Sequence, residues 1–443
     1  MRHKRLHTLL LLGLLSGPVL AQTSPTHNDL VYHDFGPGTT KLTLDLYIPQ
    51  AGVAPYPVVL RIHGGGWAGG TNQPIPGQYI ALMNQGFAIA SVKYRLTSEA
   101  ALYAGAPVTF PAQIHDIKAA IRYLRANAHL YNLDPRRIAT RGESAGGHLA
   151  ALAATSGGAA EIEGAIGGNL AYSSAVQACV DYFGPTDILH MNDDVTNPPG
   201  SNIDHDSPAS PESKLIGWTG PGQGIGNIKQ NINNPAAPYP QLVQHTQWAN
   251  PITWVDPGDP PFFIAHGTAD VVVPTAQSAK LDAALTAVGV IHNYTPVIGA
   301  GHGTLGTAVD NAAQTFLVAR LGAAWNVYRP ALTTLQTTTS VGGLWTFRID
   351  GPNPGDGWGM FEGTPGVPLP IAPFGSLYVD PLLPIDTVLT GTLPPGSSTQ
   401  TLSVNIPNVP SLSGTDHYLQ IAAGGGGGSS VFGLSNLLKV RIQ

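Results

Sequence analysis

Apolar and polar positions alternate with period two at Leu42, Leu44, Leu46 and Ile48, with Thr43, Asp45 and Tyr47 between them, which predicts a sheet strand. Further on the pattern changes to short, continuously apolar runs at residues 58–62, 86–92, 138–140, 178–183, 261–266 and 291–298. Runs of that length read as strands buried on both faces. Between two of them Ile114, Ile117, Ile121 and Leu124 recur at three and four residues, an apolar stripe for a helix over 111–127. Residues 148–154 are rich in Ala and Leu and predict a second helix. Strands alternating with helices imply a mostly parallel, doubly wound α/β sheet covered on both faces.

Two stretches break this rhythm. Residues 187–260 lack a clear period, are heavy in Pro, Asn and Gly, and read as a structureless, lid-like insertion. From about residue 329 short strand-like pieces lie between Gly and Pro at 344–349, 376–379, 399–406, 417–421 and 437–442. They suggest an all-β, sandwich-like C-terminal domain over 329–443, with the Gly424 to Gly428 run as a loop inside it. The catalytic unit is accordingly placed at 22–328. The chain opens on Met1-Arg2-His3-Lys4-Arg5, an apolar run over 9–15 and Val19-Leu20-Ala21. That is the pattern of a signal peptide, residues 1–21, cut after Ala21, and its apolar run is too short to span a membrane. A secreted or periplasmic protein is expected.

Composition narrows the partners. A formal net charge of −6 with only 11% charged residues argues against nucleic acid or a basic membrane-binding patch. The 54 glycines and 39 prolines make up about a fifth of the 443 residues, which predicts many ordered turns rather than disorder. Cys179 is the single cysteine, so no internal disulfide forms, and its apolar neighbours predict a buried, inert thiol. Asp193, Asp194, Asp204, His205 and Asp206 have the residue types for calcium, but no regular ligand spacing, and read better as a solvated polar loop.

The candidate chemistry lies at Gly142-Glu143-Ser144-Ala145-Gly146, a G-x-S-x-G pattern between a strand and a helix. The glycines lack a Cβ, so the chain can turn sharply and expose Ser144 as a nucleophile. Upstream, the strand at 58–62 ends in His63-Gly64-Gly65-Gly66-Trp67, a glycine run whose N–H groups suit an oxyanion hole. A serine needs a histidine base and a carboxylate, which here follow in the order Ser, acid, His. His302, in Gly299-Ala300-Gly301-His302-Gly303 after the last strand, is the base, and His266 at a strand end is more structural. Strand order favours Asp270 as the acid over Asp187, and Glu143 is read as a brace for the turn.

With Tyr94-Arg95-Leu96, Pro211-Glu212-Ser213-Lys214-Leu215-Ile216-Gly217 and residues 260–270 added, these motifs resemble the α/β-hydrolase superfamily over residues 28–325. The branch is similar to bacterial feruloyl-esterase-like carboxylesterases, near the hormone-sensitive-lipase-like esterases. That resemblance implies Ser144, Asp270 and His302 as a triad, with Gly65, Gly66 and Ala145 N–H as the oxyanion hole and Trp67 N–H as an alternative donor. It implies ester hydrolysis through an acyl-enzyme, with no metal or organic cofactor and an ester, small or polymeric, as partner. The segment 220–247 is longer than in typical relatives. A serine peptidase of the same fold, or a polymer-binding protein with a hydrolase domain, is the competing reading. Short acyl groups are expected, and Trp67, Trp218, Trp248 and Trp254 are candidates for a flat wall that receives an aromatic one.

Overall fold

The computed structural model describes residues 24–52, 54–196 and 198–322, and from Ala331 to Ile442 the backbone of strand segments. The expected signal peptide at 1–21 and the expected 328/329 boundary fall outside the described residues.

Eight strands form one sheet: β1 (His27–His33), β2 (Leu42–Tyr47), β3 (Tyr56–Ile62), β4 (Ala88–Val92), β5 (Leu133–Glu143), β6 (Ala178–Tyr182), β7 (Phe262–Gly267) and β8 (His292–Val297). Their spatial order is β1-β2-β4-β3-β5-β6-β7-β8, with β1 and β2 antiparallel at one edge and β4 to β8 parallel. The helices of the sheet domain are α1 (Gly77–Met83), α2 (Ala112–Ala126), α3 (Ala145–Thr155), α7 (Ala276–Val288) and α8 (Thr307–Leu321). The stretch between β6 and β7 adds α4 (Pro211–Ile216), α5 (Ile225–Gln230) and α6 (Tyr239–Trp248).

Side-chain alternation along the strands divides the core in two. On β3, Val58, Leu60 and Ile62 join a cluster with Ile114, Ile117, Ile121 and Leu124 of α2 and with Leu149 and Leu152 of α3. Val59, on the opposite side of β3, packs with Tyr79 and Leu82 of α1 and with Ala313 and Leu317 of α8. The four apolar side chains of the α2 stripe are fully buried, each contributing roughly 1.5–3 kcal/mol relative to exposure. This two-faced burial is what continuous apolar strands require.

Two expectations need correction. Residues 291–298 are not a buried run: β8 is the sheet edge, and Ile291 and Ile298 are 58% and 86% exposed. The 187–260 insertion is not structureless, since it contains α4, α5 and α6. α4 and α5 are six residues each, too short for a helical period to show in the sequence. Ser210, whose side chain accepts from Ser213 N–H, and Pro211 just inside the helix were the available signal for α4. α6 carries only Leu242 and Thr246 as buried residues, so no apolar stripe marks it.

Beyond residue 322, strand backbones occur at Leu344–Asp350, Gly375–Val379, Thr399–Asn405, Asp416–Gly424 and Leu438–Ile442, close to the expected runs. Leu344–Asp350 pairs antiparallel with Thr399–Asn405, and Asp416–Gly424 with Leu438–Ile442. The glycine loop after Gly424 lies outside the described residues.

Candidate active site

Ser144 stands between the end of β5 and the first turn of α3 with φ 57 and ψ −125, a conformation rarely taken by a residue with a side chain. Close backbone packing holds it there. A Cβ on Gly146 would lie 2.1 Å from Ile62 O, and one on Gly142 would lie 2.2 Å from Gly146 O. The Ser144 N–H donates to Tyr182 O at 2.9 Å, tying the turn to β6. Glycine at both flanking positions is therefore a steric requirement of the turn.

The glycine loop after β3 lies against this elbow. A Cβ on Gly64 would come within 2.7 Å of Glu143 O and 3.4 Å of Ser144 Cβ. Gly65, Gly66 and Trp67 all have positive φ, at 117, 57 and 55. Gly65 O accepts from Ala68 and Gly69 N–H, while the Gly65, Gly66 and Ala145 N–H groups donate to no backbone acceptor among the described residues. The His63 ring stacks on Tyr94 at 4.5 Å, and Tyr94 Oη donates to His63 O. Burial lowers the His63 pKa to about 4, so the ring is neutral at pH 7 and serves as a brace.

His302 Nε2 is 3.0 Å from Ser144 Oγ, and His302 Nδ1 is 2.8 Å from Asp270 Oδ2. The carboxylate places the imidazole proton on Nδ1, which leaves Nε2 to accept from the serine hydroxyl. Phe183 packs its ring edgewise on His302 at 4.7 Å. Asp270 is itself anchored: Val272 and Val273 N–H donate to Oδ1 at 2.7 and 2.9 Å, and His266 Nε2 is 3.2 Å from Oδ2. Burial pushes the Asp270 carboxyl up, but hydrogen bonds from His266 and His302, the His302 charge and Val272 N–H outweigh it and leave the group well below the usual carboxylate range. The loops after β7 and β8 are closed on each other, with Ala269 N–H donating to Ala300 O at 2.8 Å. A Cβ on Gly267 would be 2.3 Å from Ala300 O.

The other candidates lie elsewhere. Asp187 faces His190, Lys280 and Asn250 and makes no contact with His302 among the described residues. His266 is fully buried, held by Ser278 Oγ and Val273 O. Glu143 accepts a long hydrogen bond from Tyr79 Oη at 3.4 Å. Cys179 is buried, and burial pushes its thiol well above the ordinary range. Lys229 pairs with Asp193 and Asp206, and Lys280 with Asp194. Among the described residues no group of three His, Cys, Asp or Glu side chains is arranged to hold a metal.

A cavity of about 400 Å³ opens over Ser144 and His302, with Gly65, Gly66 and Ala145 on one side. It is also lined by Pro185, Ile203, Pro211, Glu212, Val272 and Val273. The expected tryptophan wall is corrected: Trp218, Trp248 and Trp254 are not part of it. Trp218 donates to Asn227, and Trp248 and Trp254 pack on each other at 6.4 Å. Trp67 reaches the cavity, but its side chain is buried and its indole N–H donates to His148 Nδ1 at 3.1 Å. His148, with burial lowering its pKa to about 4, is bonded through Nε2 to Ala249 O at the end of the insertion. The sequence reading missed the Val272 and Val273 N–H donors, although an Asp bonding the backbone two residues on is a common local pattern. Glu212 stood within the Pro211 to Gly217 motif without a role of its own, and Ile203 carried no signal beyond lying in the insertion.

A BD-FAE family profile matches residues 44–285, more than half of the chain. Esterase LipQ of Mycobacterium tuberculosis is 30% identical over 262 residues, covering 58% of this chain and 52% of LipQ. Esterase LipC of the same organism is 26% identical over 253 residues, covering 56% of this chain and 53% of LipC. The chain thus spans about half the length of the curated relatives it matches. A solved structure described as a truncated carbohydrate esterase from gut microbiota is 30% identical with TM-score 0.55, covering 69% of this chain and 99% of that one. A second, described as a bifunctional GH43-CE of Bacteroides eggerthii, is 32% identical with TM-score 0.54, covering 66% and 35%. This chain belongs to the BD-FAE family, and the α/β-hydrolase domain it shares with these esterases is a carboxylic ester hydrolase domain.

Proposed function

We propose that the protein is an exported serine carboxylesterase that cleaves short-acyl or aryl esters through an acyl-enzyme, with Ser144, His302 and Asp270 as its triad. The observation that carries this reading is the continuous contact from Asp270 through His302 to Ser144 Oγ at a cavity of about 400 Å³. Pockets of that size suit small molecules or the end of a polymer. His302 Nε2 takes the serine proton as Oγ bonds to the ester carbonyl carbon, and Asp270 stabilises the imidazolium. The carbonyl oxygen, now negative, faces the N–H groups of Gly65, Gly66 and Ala145. The tetrahedral species collapses, the C–O bond breaks, and the alcohol leaves with the proton from His302. Water, deprotonated by the same imidazole, then releases the acid and restores Ser144.

Ile203, Pro211, Val272 and Val273 form an apolar wall suited to acetyl through butyryl groups. The similar structure described as a carbohydrate esterase supports a carbohydrate ester as the natural substrate, for which we take an acylated plant cell-wall polysaccharide, with feruloyl esters and polyesters as alternative chemistries. The leader at 1–21 supports export, and the strand pairings beyond Ala331 support a sandwich-like accessory domain over 329–443. The reading is tested by kcat/KM across C2 to C16 p-nitrophenyl esters, where the maximum is expected at C2 to C4. A maximum at C10 or longer would replace the esterase with a lipase, and turnover of acyl amides at comparable rates would favour a peptidase.

A further inference from the structure

Apart from Ser144 and His302, the side chains lining the cavity are apolar with a single exception, Glu212. Glu212 is 3% exposed, and His205, which faces it from the same insertion, is 1% exposed. His205 Nδ1 is 3.0 Å from Glu212 Oε1, yet the approach is too poorly aligned to be a hydrogen bond. Both ring nitrogens of His205 and the Oε2 of Glu212 are buried without a hydrogen-bond partner among the described residues. Leaving such atoms unmet is costly, so a buried pair of this kind, with Glu212 lining the cavity, calls for a partner.

The pair is also held firmly. Ser210 Oγ caps α4 by accepting from Ser213 N–H, and Ser213 Oγ donates to Ser207 O and accepts from Ile225 N–H. His205 N–H donates to Asn192 Oδ1. Pro211, next to Glu212, packs over Gly66, so a Cβ there would lie 3.4 Å from Pro211 Cβ. A carboxylate fixed beside the oxyanion loop is preorganised to accept a hydrogen bond from a ligand close to the reacting carbonyl.

We propose that Glu212, with His205 behind it, is the position that selects esters carrying a free hydroxyl near the scissile carbonyl. This rests on the esterase reading above. His205 Nδ1 lies 3.0 Å from Oε1 without forming a hydrogen bond, so the Glu212 carboxyl still lacks a donor, which a substrate hydroxyl supplies. A methyl group in the same place leaves the carboxylate unpaired, the situation in which polar sites discriminate most strongly.

The test uses ester pairs in which a hydroxyl is replaced by a methyl group of similar size. On the alcohol side these are 2-hydroxyethyl acetate and propyl acetate, and on the acyl side ethyl glycolate and ethyl propionate. The full-length protein should favour the hydroxylated member of at least one pair by about tenfold or more in kcat/KM. Whichever pair responds identifies the side of the ester that faces Glu212. Glu212→Met, which keeps the volume but accepts no comparable bond, should reduce that preference to within about threefold, with Glu212→Gln intermediate. Equal treatment of both members of both pairs by the unmodified protein overturns the inference, as does a preference that survives in a folded Glu212→Met variant. Where Glu212→Met does not fold, Glu212→Gln carries the same comparison, and an undiminished preference in it overturns the inference. Absence of Ser144-dependent turnover of all four esters sinks the esterase reading and this inference with it, whereas turnover without a hydroxyl preference sinks the inference alone.

Discussion

The two walls of the cavity are built by different means. The wall carrying Ser144 and the glycine loop is made of backbone packed on backbone, where an added Cβ would lie 2.1 to 2.7 Å from a carbonyl oxygen. The other wall, with Ile203, Pro211 and Glu212, is made of side chains delivered by short helices and turns of the insertion. Atoms in the first wall have no room to move, so its geometry tolerates little change. The second can be altered one side chain at a time, and that is where substrate preference is open to variation.

Substitutions in the first wall should have the largest effects. Ser144→Ala is expected to lower p-nitrophenyl acetate turnover by a factor on the order of 10⁴ to 10⁶ with an unchanged melting temperature. Residual activity near the unmodified level would remove Ser144 from the chemistry. Next, Asp270→Asn should cost roughly 10⁴ in kcat, since His302 would lose the partner that sets its tautomer. Asp187→Asn, whose contacts are with His190, Lys280 and Asn250, should stay within about threefold by comparison. The reverse ranking would move the acid to Asp187.

Gly146→Ala tests the backbone argument itself. Its Cβ would sit 2.1 Å from Ile62 O and 2.7 Å from His63 O, so a loss of about 4 kcal/mol or more is expected, read in urea melts or as loss of soluble protein. A variant that melts within a few degrees of the parent would show that the two walls are equally pliable.

Asp181 gives a pH-dependent version of the same test. It sits behind the elbow, where a Cβ on Gly147 would be 2.4 Å from its Oδ1, and burial raises its pKa to about 7 against the bond from Gly184 N–H. Its folded pKa is thus above the ordinary 3.8, and between those values the folded protein holds a proton that the unfolded chain releases. Stability from this group falls as pH rises from about 4 to about 7 and is level above that. Asp181→Asn should therefore gain on the parent by up to about 4 kcal/mol across that window, measured as the difference between paired denaturation curves. A difference that does not change with pH would contradict the raised pKa.

The smallest effect is expected in the second wall. Ile203→Ala should lower the butyrate-to-acetate ratio of kcat/KM by a few-fold, in keeping with about 0.8 kcal/mol per buried methylene, with little change in melting temperature. A change of a hundredfold or more would mean that Ile203 supports the catalytic wall as well.

Much of the first wall could be read without a structure, because its constraints are local. Glycines at 142 and 146 flank a serine at a strand-to-helix junction, and the apolar stripe of α2 and the continuous runs of β3, β5, β6 and β7 each repeat over a few residues. The edge position of β8 was not legible: an apolar run looks the same whether the sheet continues beyond it or ends there. The helices of the insertion escaped for other reasons: α4 and α5 are six residues each, too short for a helical period to show, and α6 buries only Leu242 and Thr246.

What the sequence by itself determined is the α/β order of elements, the elbow at Ser144, the glycine loop before it, and a choice of acid and base narrowed to a few loop residues. Only the tertiary structure decided that Asp270, and not Asp187, meets His302, because that depends on how the loops after β7 and β8 close through Ala269 and Ala300. It alone decided that Trp67 is tied to His148 while Trp248 and Trp254 pack on each other, and that Glu212 lines the cavity with His205 facing it from behind. Steric exclusion and periodicity act between near neighbours and leave a trace in the order of residues. Contacts between side chains distant in sequence depend on packing of the whole domain, and no local pattern records them.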